Sequence, residues 1–151
     1  MRTFVIAAPV DRVQAVLVDL EWYSSWWPEI VAVAKLSDDD ALVVCRSALP
    51  YELELHLTAV HREPERLEVA IDGDLVGFAR FELFDDPEGT RLEFTEQVSV
   101  AGAALRLAVL IGRPLLVWNH DRMMASCIDG LTRVTTAPAG EGQASMWDMS
   151  P

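Results

Sequence analysis

The sequence predicts an α+β fold in which a curved antiparallel sheet of about seven strands wraps a long C-terminal helix, with two short helices between the first two strands. Three observations predict it. Residues 29–100 carry a hydrophobic period of two, as strands with one buried face require. Residues 114–135 carry a helical period over roughly 33 Å, at 1.5 Å per residue. Between the first strand and that sheet lies a proline-initiated amphipathic stretch followed by a cluster of aromatic residues. A sheet and a helix with one apolar face each can bury them together only if the sheet grips the helix.

Taken in order, residues 2–7 read as the first strand. Pro9 then starts a helix, because its missing N–H is not needed in the first turn. Val10, Val13, Val16 and Leu17 give that helix an apolar stripe ending near Asp19. The run Glu21-Trp22-Tyr23-Ser24-Ser25-Trp26-Trp27-Pro28 reads as a second short helix or turn whose rings cover one end of the core. Ile30–Leu36 and Leu42–Leu49 form a hairpin around Ser37-Asp38-Asp39-Asp40, all local hydrogen-bonders. Tyr51, Leu53, Leu55 and Leu57 alternate with Glu52, Glu54, His56 and Thr58. After a break at Glu63-Pro64-Glu65, Leu67, Val69 and Ile71 repeat the alternation. Asp72-Gly73-Asp74 turns the chain into 75–84, and Asp85–Gly89 turns it into 90–100. Ala103–Ile111 is apolar and helix-like, and Gly112 with Pro114 breaks it before the long helix. The domain is expected to span 1–136. Residues 137–151 form a linker and tail, in which Met146, Trp147 and Met149 are suited to docking on a surface.

With 51% hydrophobic residues, the chain carries ample material for a core or a ligand-lined interior. Its net charge of -12 repels phosphate backbones and anionic lipid headgroups, which argues against nucleic acid and against stable membrane insertion. Cys45 and Cys127 belong to no CxxC pair and point to a reduced, cytoplasmic protein. Three scattered histidines leave no paired ligand spacing, so neither metal nor cofactor is expected.

On a helical wheel, Asn119, Arg122, Ser126, Asp129 and Arg133 share a polar stripe of the long helix. Val117, His120, Met124, Cys127, Ile128 and Leu131 share the opposite, apolar stripe, with Arg113 at one end. His120 therefore projects toward the sheet, either as an acid, base or donor to a ligand carbonyl, or as a core histidine satisfied by a neighbour. Glu96 shares the inward parity of Leu92, Phe94 and Val98, so it needs a cation, a donor or water. Arg113 and His120 are the candidates. The alternative is a solvated carboxylate at the pocket mouth. Trp26 and Trp27 supply either an aromatic wall or plain core. Leu55, Leu57, Phe81 and Phe94 line the grip, and Gly77 and Ala79 either leave room opposite the helix or mark a strand bend. His56 is expected in solvent, and His61 follows inward parity near a strand end.

Several strings, in this order, resemble one superfamily: Ala8-Pro9-Val10-Asp11-Arg12-Val13, Trp26-Trp27-Pro28-Glu29, Leu49-Pro50-Tyr51, Gly73-Asp74-Leu75-Val76-Gly77 before Arg80-Phe81, and Gly89-Thr90-Arg91. Arg113-Pro114, then Trp118-Asn119-His120-Asp121, Met124, Gly130 and Leu131 complete the set. Together they resemble the Bet v 1-like, START-like superfamily of helix-grip proteins, in its bacterial polyketide cyclase/dehydrase and lipid-transport branch. The resemblance covers about residues 2–135. It lacks the glycine-rich loop of plant members, and no catalytic motif of the family maps onto the chain. It implies binding or transport of a hydrophobic small molecule, such as a lipid, polyketide or aromatic metabolite, by a monomer or homodimer. A cyclase/dehydratase without cofactor, using His120 with Glu96 or Arg113, is the alternative. A protein-interaction module using the acidic outer face or the Trp147 tail is a third.

Overall fold

The computed structural model describes residues 1–46, 52–101, 110 and 112–136, the side chains of Val100, Arg113 and Leu116 excepted. The expected helix over 103–111, apart from Leu110, the 47–51 segment and the 137–151 tail lie outside the described residues. The chain runs β1 (Arg2–Ile6), α1 (Val10–Val18), a short 3₁₀ turn (Leu20–Trp22), α2 (Tyr23–Trp26), β2 (Ile30–Lys35), β3 (Asp40–Arg46) and β4 (Glu52–Glu63). Next come β5 (Arg66–Gly73), β6 (Leu75–Asp86), β7 (Gly89–Val100) and the long helix α3 (Arg113–Thr136).

All seven strands join one antiparallel sheet in the order β1-β7-β6-β5-β4-β3-β2. This is the expected helix-grip architecture, with the two short helices placed between β1 and β2. From β2 to β7, sequence-adjacent strands pair, and the β2–β3, β4–β5, β5–β6 and β6–β7 connections are short and polar. In the first hairpin the Ser37 hydroxyl accepts from the N–H groups of Asp39 and Asp40. Pro9 precedes α1 in extended conformation, and α1 buries Val13 and Leu17.

The register fixes which side chains share the concave face. Phe94 pairs with Phe81 and Phe81 with Leu67. The next row holds Glu96, Ala79, Val69 and Ala59, and the one after it Val98, Gly77, Ile71 and Leu57. His61 departs from its expected inward position. The register shifts between Ala59 and His61, so the inserted Val60 reverses the alternation and pairs His61 with Glu68. Glu68 lies on the convex face beside Arg80, 2.7 Å away, and that guanidinium holds its carboxyl below the usual range.

Packing is uneven along the grip. At one end Ile6, Leu83, Leu92 and Thr90 are sealed, and the Thr90 hydroxyl donates to Ala8 O at 2.6 Å. Toward the other end, the concave residues Leu53, Leu57, Val69, Leu75, Ala79, Phe81 and Val98 are only partly buried. Among the described residues, the concave face is sealed at one end and partly exposed at the other, where Leu55 and Ile71 stay buried.

Candidate functional site

The accessible end is where β7 and α3 bring two polar side chains together. Glu96 follows Phe94 by two residues on β7, so strand parity carries both to the concave face. His120 projects from α3 onto that row, and its Nε2 lies 2.9 Å from Glu96 Oε1. The imidazole also stacks on Phe94, with centroids 6.5 Å apart and planes at 23°, and Phe81 packs against Phe94 at 5.0 Å. Next to it, Asp121 forms an ion pair with Arg2, tying this turn of α3 to β1.

The pairing has a chemical consequence. A carboxylate at Nε2 favours the tautomer with the proton there, leaving the lone pair on Nδ1. Nδ1 makes no hydrogen bond among the described residues. In the neutral ring it can accept a proton, and in the charged ring it can donate one to a carbonyl oxygen. Around the pair the side chains are small or apolar: Ala79 beside Glu96, Gly77 and Val98 in the next row.

Gly77 has a backbone reason as well. Its φ is +154°, and a Cβ there would lie 1.9 Å from Gln97 O on β7. It therefore marks a close approach of β6 to β7, which only glycine permits, more than an emptied site.

The remaining predicted residues separate into groups. Leu55, Phe94, Met124 and Cys127 are buried, whereas Leu57, Ala79 and Phe81 are partly buried on the accessible side. Burial raises the Cys127 thiol, with the Glu29 charge adding, and pushes Cys45 up to about 11, with the Glu96 charge adding. Both thiols stay protonated and inert near neutral pH. Val117, aligned with Met124 on the wheel, is nevertheless 49% exposed, one turn before the contacts that His120 and Asp121 make with the sheet. The Arg113 side chain lies outside the described residues, so only Glu96 and His120 of the expected trio are brought together.

The aromatic cluster divides. Tyr23 and Trp26 are core, Trp27 is half-buried, and Trp22 is exposed. Trp26 stacks on Trp27 at 6.0 Å, and the Trp27 indole N–H donates to Met123 O at 3.1 Å. Helix α3 comes so close that a Cβ on Gly130 would lie 1.9 Å from Trp26 O. The helical wheel needs one correction: Asn119 is buried, only 7% exposed, while Arg122, Asp129 and Arg133 remain outside. Further along that flank, Met123 carries the Trp27 bond and Gly130 the Trp26 contact, neighbours that a wheel of α3 alone does not include. Two open clefts of about 570 and about 600 Å³ lie outside the grip, and neither is lined by Glu96 or His120.

Comparison with known proteins agrees with this architecture. Residues 1–134 match the family model described as polyketide cyclase/dehydrase and lipid transport. The chain belongs to that family. Solved structures sharing the family fold include a START superfamily protein from Mycobacterium smegmatis, 15% identical, with a TM-score of 0.72 over 89% of this chain and 94% of that one. A protein from Thermus thermophilus is 19% identical, with a TM-score of 0.73 over 87% and 92% of the two chains. The Zhui aromatase/cyclase from Streptomyces sp. R1128 is 14% identical, with a TM-score of 0.69 over 89% and 90%. No functionally curated protein matches the sequence. Among the described residues, no helix of this family member is long and apolar enough to cross a membrane.

Proposed function

We propose that the protein binds a hydrophobic small molecule bearing a carbonyl group, between the accessible end of the sheet and the first turns of α3. The observation that supports this is the unevenness of the grip. Apolar concave-face side chains remain partly exposed beside one polar pair, the composition of a ligand pocket: mostly apolar, with few convergent polar groups. His120 in its charged form donates its Nδ1–H to the carbonyl oxygen, and Glu96 pairs with that charge and orients the ring. Transport or storage of such a molecule in the cytoplasm, by a monomer or homodimer, fits the family and the two buried, unpaired cysteines.

A second reading has an observation of its own. The Glu96–His120 arrangement is that of an oriented base, able to take a proton from carbon next to a carbonyl, as aldol-type cyclisation or dehydration requires. The aromatase/cyclase among the fold relatives makes this chemistry a fair candidate. Native mass spectrometry of the purified protein, with N-phenyl-1-naphthylamine fluorescence as a second probe, tests the pocket. Retention of an apolar molecule, or saturable fluorescence enhancement, supports it. A protein that holds neither contradicts it. Turnover of a model β-hydroxy ketone that is lost in His120→Gln while the fluorophore still binds would select the catalytic reading.

A further inference from the structure

The outer face of α3 begins apolar, where a solvent-facing stripe is ordinarily polar. Pro114, Leu115, Val117 and Trp118 are all exposed, the last three at 41%, 49% and 48%. Single exposed apolar residues need no explanation, but a group of neighbours does. At about 100° per residue, Leu115, Trp118, Arg122, Asp129 and Arg133 fall on one stripe of the helix. The lower part of that stripe walls the open cleft of about 600 Å³, opposite Trp26, Pro28 and Glu29. The cleft runs from Arg133, within a turn of the end of α3, to Arg122. There the Arg122 guanidinium lies over the Trp118 ring, 5.7 Å from its centroid. Asp129 and Glu29 also line the cleft, yet neither arginine pairs with a carboxylate among the described residues. A groove with two available cations thus leads from the end of α3 into an apolar patch.

We infer that residues 137–151 fold back along this groove and seat Trp147, between Met146 and Asp148-Met149, on Leu115 and Trp118. The reach suffices. Trp118 lies about 27 Å back along the helix from Thr136, at 1.5 Å per residue. The eleven residues from Thr136 to Trp147 span up to about 36 Å when extended. The slack accommodates a reversal, for which Pro138, Gly140 and Gly142 are suited. The charges come in matching order, Glu141 first toward Arg133, then Asp148 toward Arg122. Between Glu96 and Asp121 the sequence has no Asp or Glu, so this part of an acidic molecule does not repel the segment. A second copy carries the same segment, but tethering supplies it at about millimolar effective concentration, which micromolar protein does not match.

A nitroxide on Ser150→Cys, carried by the nitrogen-15-labelled chain of residues 1–151, tests this. Cys45 and Cys127 are buried and stay unlabelled. The amide signals of Leu115, Val117 and Trp118 should be lost, and adding Trp147→Ala should restore them. Signals that persist beside the nitroxide overturn the proposal. Signals still lost in the Trp147→Ala chain also overturn it, since the tether alone then explains the proximity. In a mixture of nitrogen-15-labelled chain without nitroxide and unlabelled chain with it, the signals should survive. Loss in that mixture makes a second copy the occupant and overturns the fold-back.

Discussion

Two histidine–carboxylate pairs in this molecule have almost the same separation, but only His56–Asp40 has the alignment of a hydrogen bond, and their surroundings differ. His120 Nε2 lies 2.9 Å from Glu96 Oε1, and His56 Nε2 lies 3.0 Å from Asp40 Oδ1. The imidazoles are equally exposed, at 36% and 39%. Distance and exposure therefore do not distinguish them. What distinguishes them is the face they occupy and what each carboxylate has left to do. Asp40 Oδ1 also accepts from the Thr58 hydroxyl at 3.0 Å, and Oδ2 accepts from Ser37 at 3.1 Å, so the outer pair is part of a closed hairpin network. Those bonds, from Thr58 and then Ser37, hold the Asp40 carboxyl below the usual carboxylate range. Glu96 has His120 as its partner among the described residues, on the concave face beside partly exposed apolar side chains. One pair ties a turn together; the other is left able to meet a ligand.

The contrast is broken most directly by exchanging each histidine for a neutral amide. His120→Gln should weaken displacement of N-phenyl-1-naphthylamine by 2-acetylnaphthalene by roughly tenfold or more, the loss expected for a hydrogen bond from a charged group. His56→Gln should leave that affinity unchanged. The floor beneath the inner pair offers a smaller, structural effect. Gly77→Ala forces a left-handed backbone onto alanine and drives its Cβ onto Gln97 O, at a cost of about 2–3 kcal/mol. A melting temperature lower by roughly 5–10 °C would register it. Thr58→Val, beside the outer pair, removes one exposed-side hydrogen bond and should cost about 1 kcal/mol.

The smallest effect is expected from Asp40→Asn, and it depends on pH. A carboxyl with a lowered native pKa stabilises the fold above its unfolded value and ceases to do so as pH falls through its native one. Wild type should therefore exceed Asp40→Asn in stability at neutral pH, and the gap should close on titration below about pH 4. Urea unfolding at several pH values measures that gap.

Periodicity carried the fold in the sequence because the strands bury one face and the described turns, such as Ser37–Asp40, are built of residues that bond locally. It also placed Glu96 opposite His120, since strand parity and the helical wheel each fix a direction. Both rules fail where a neighbour intervenes. The bulge at Val60 reverses parity and sends His61 outward, and nothing in an alternating pattern announces one extra residue. The wheel assigns Asn119 to solvent because it treats α3 as alone, whereas the same flank packs against Trp27 at Met123 and against Trp26 at Gly130. A signal was present in the spacing: Asn119 lies one turn before Met123, on the side of the helix where Gly130 lets α2 approach. The His56–Asp40 bond was invisible for a similar reason, since it depends on β3–β4 register rather than on either strand's own pattern.

Nitrogen-15 NMR of the imidazole rings, during titration with 2-acetylnaphthalene, tests the distinction between the two pairs in a single spectrum. The account predicts an Nε2–H at both His56 and His120, with ligand driving the His120 Nδ1 resonance to its protonated position and leaving His56 unmoved. A ligand that binds without moving His120, or that moves His56 equally, would contradict it.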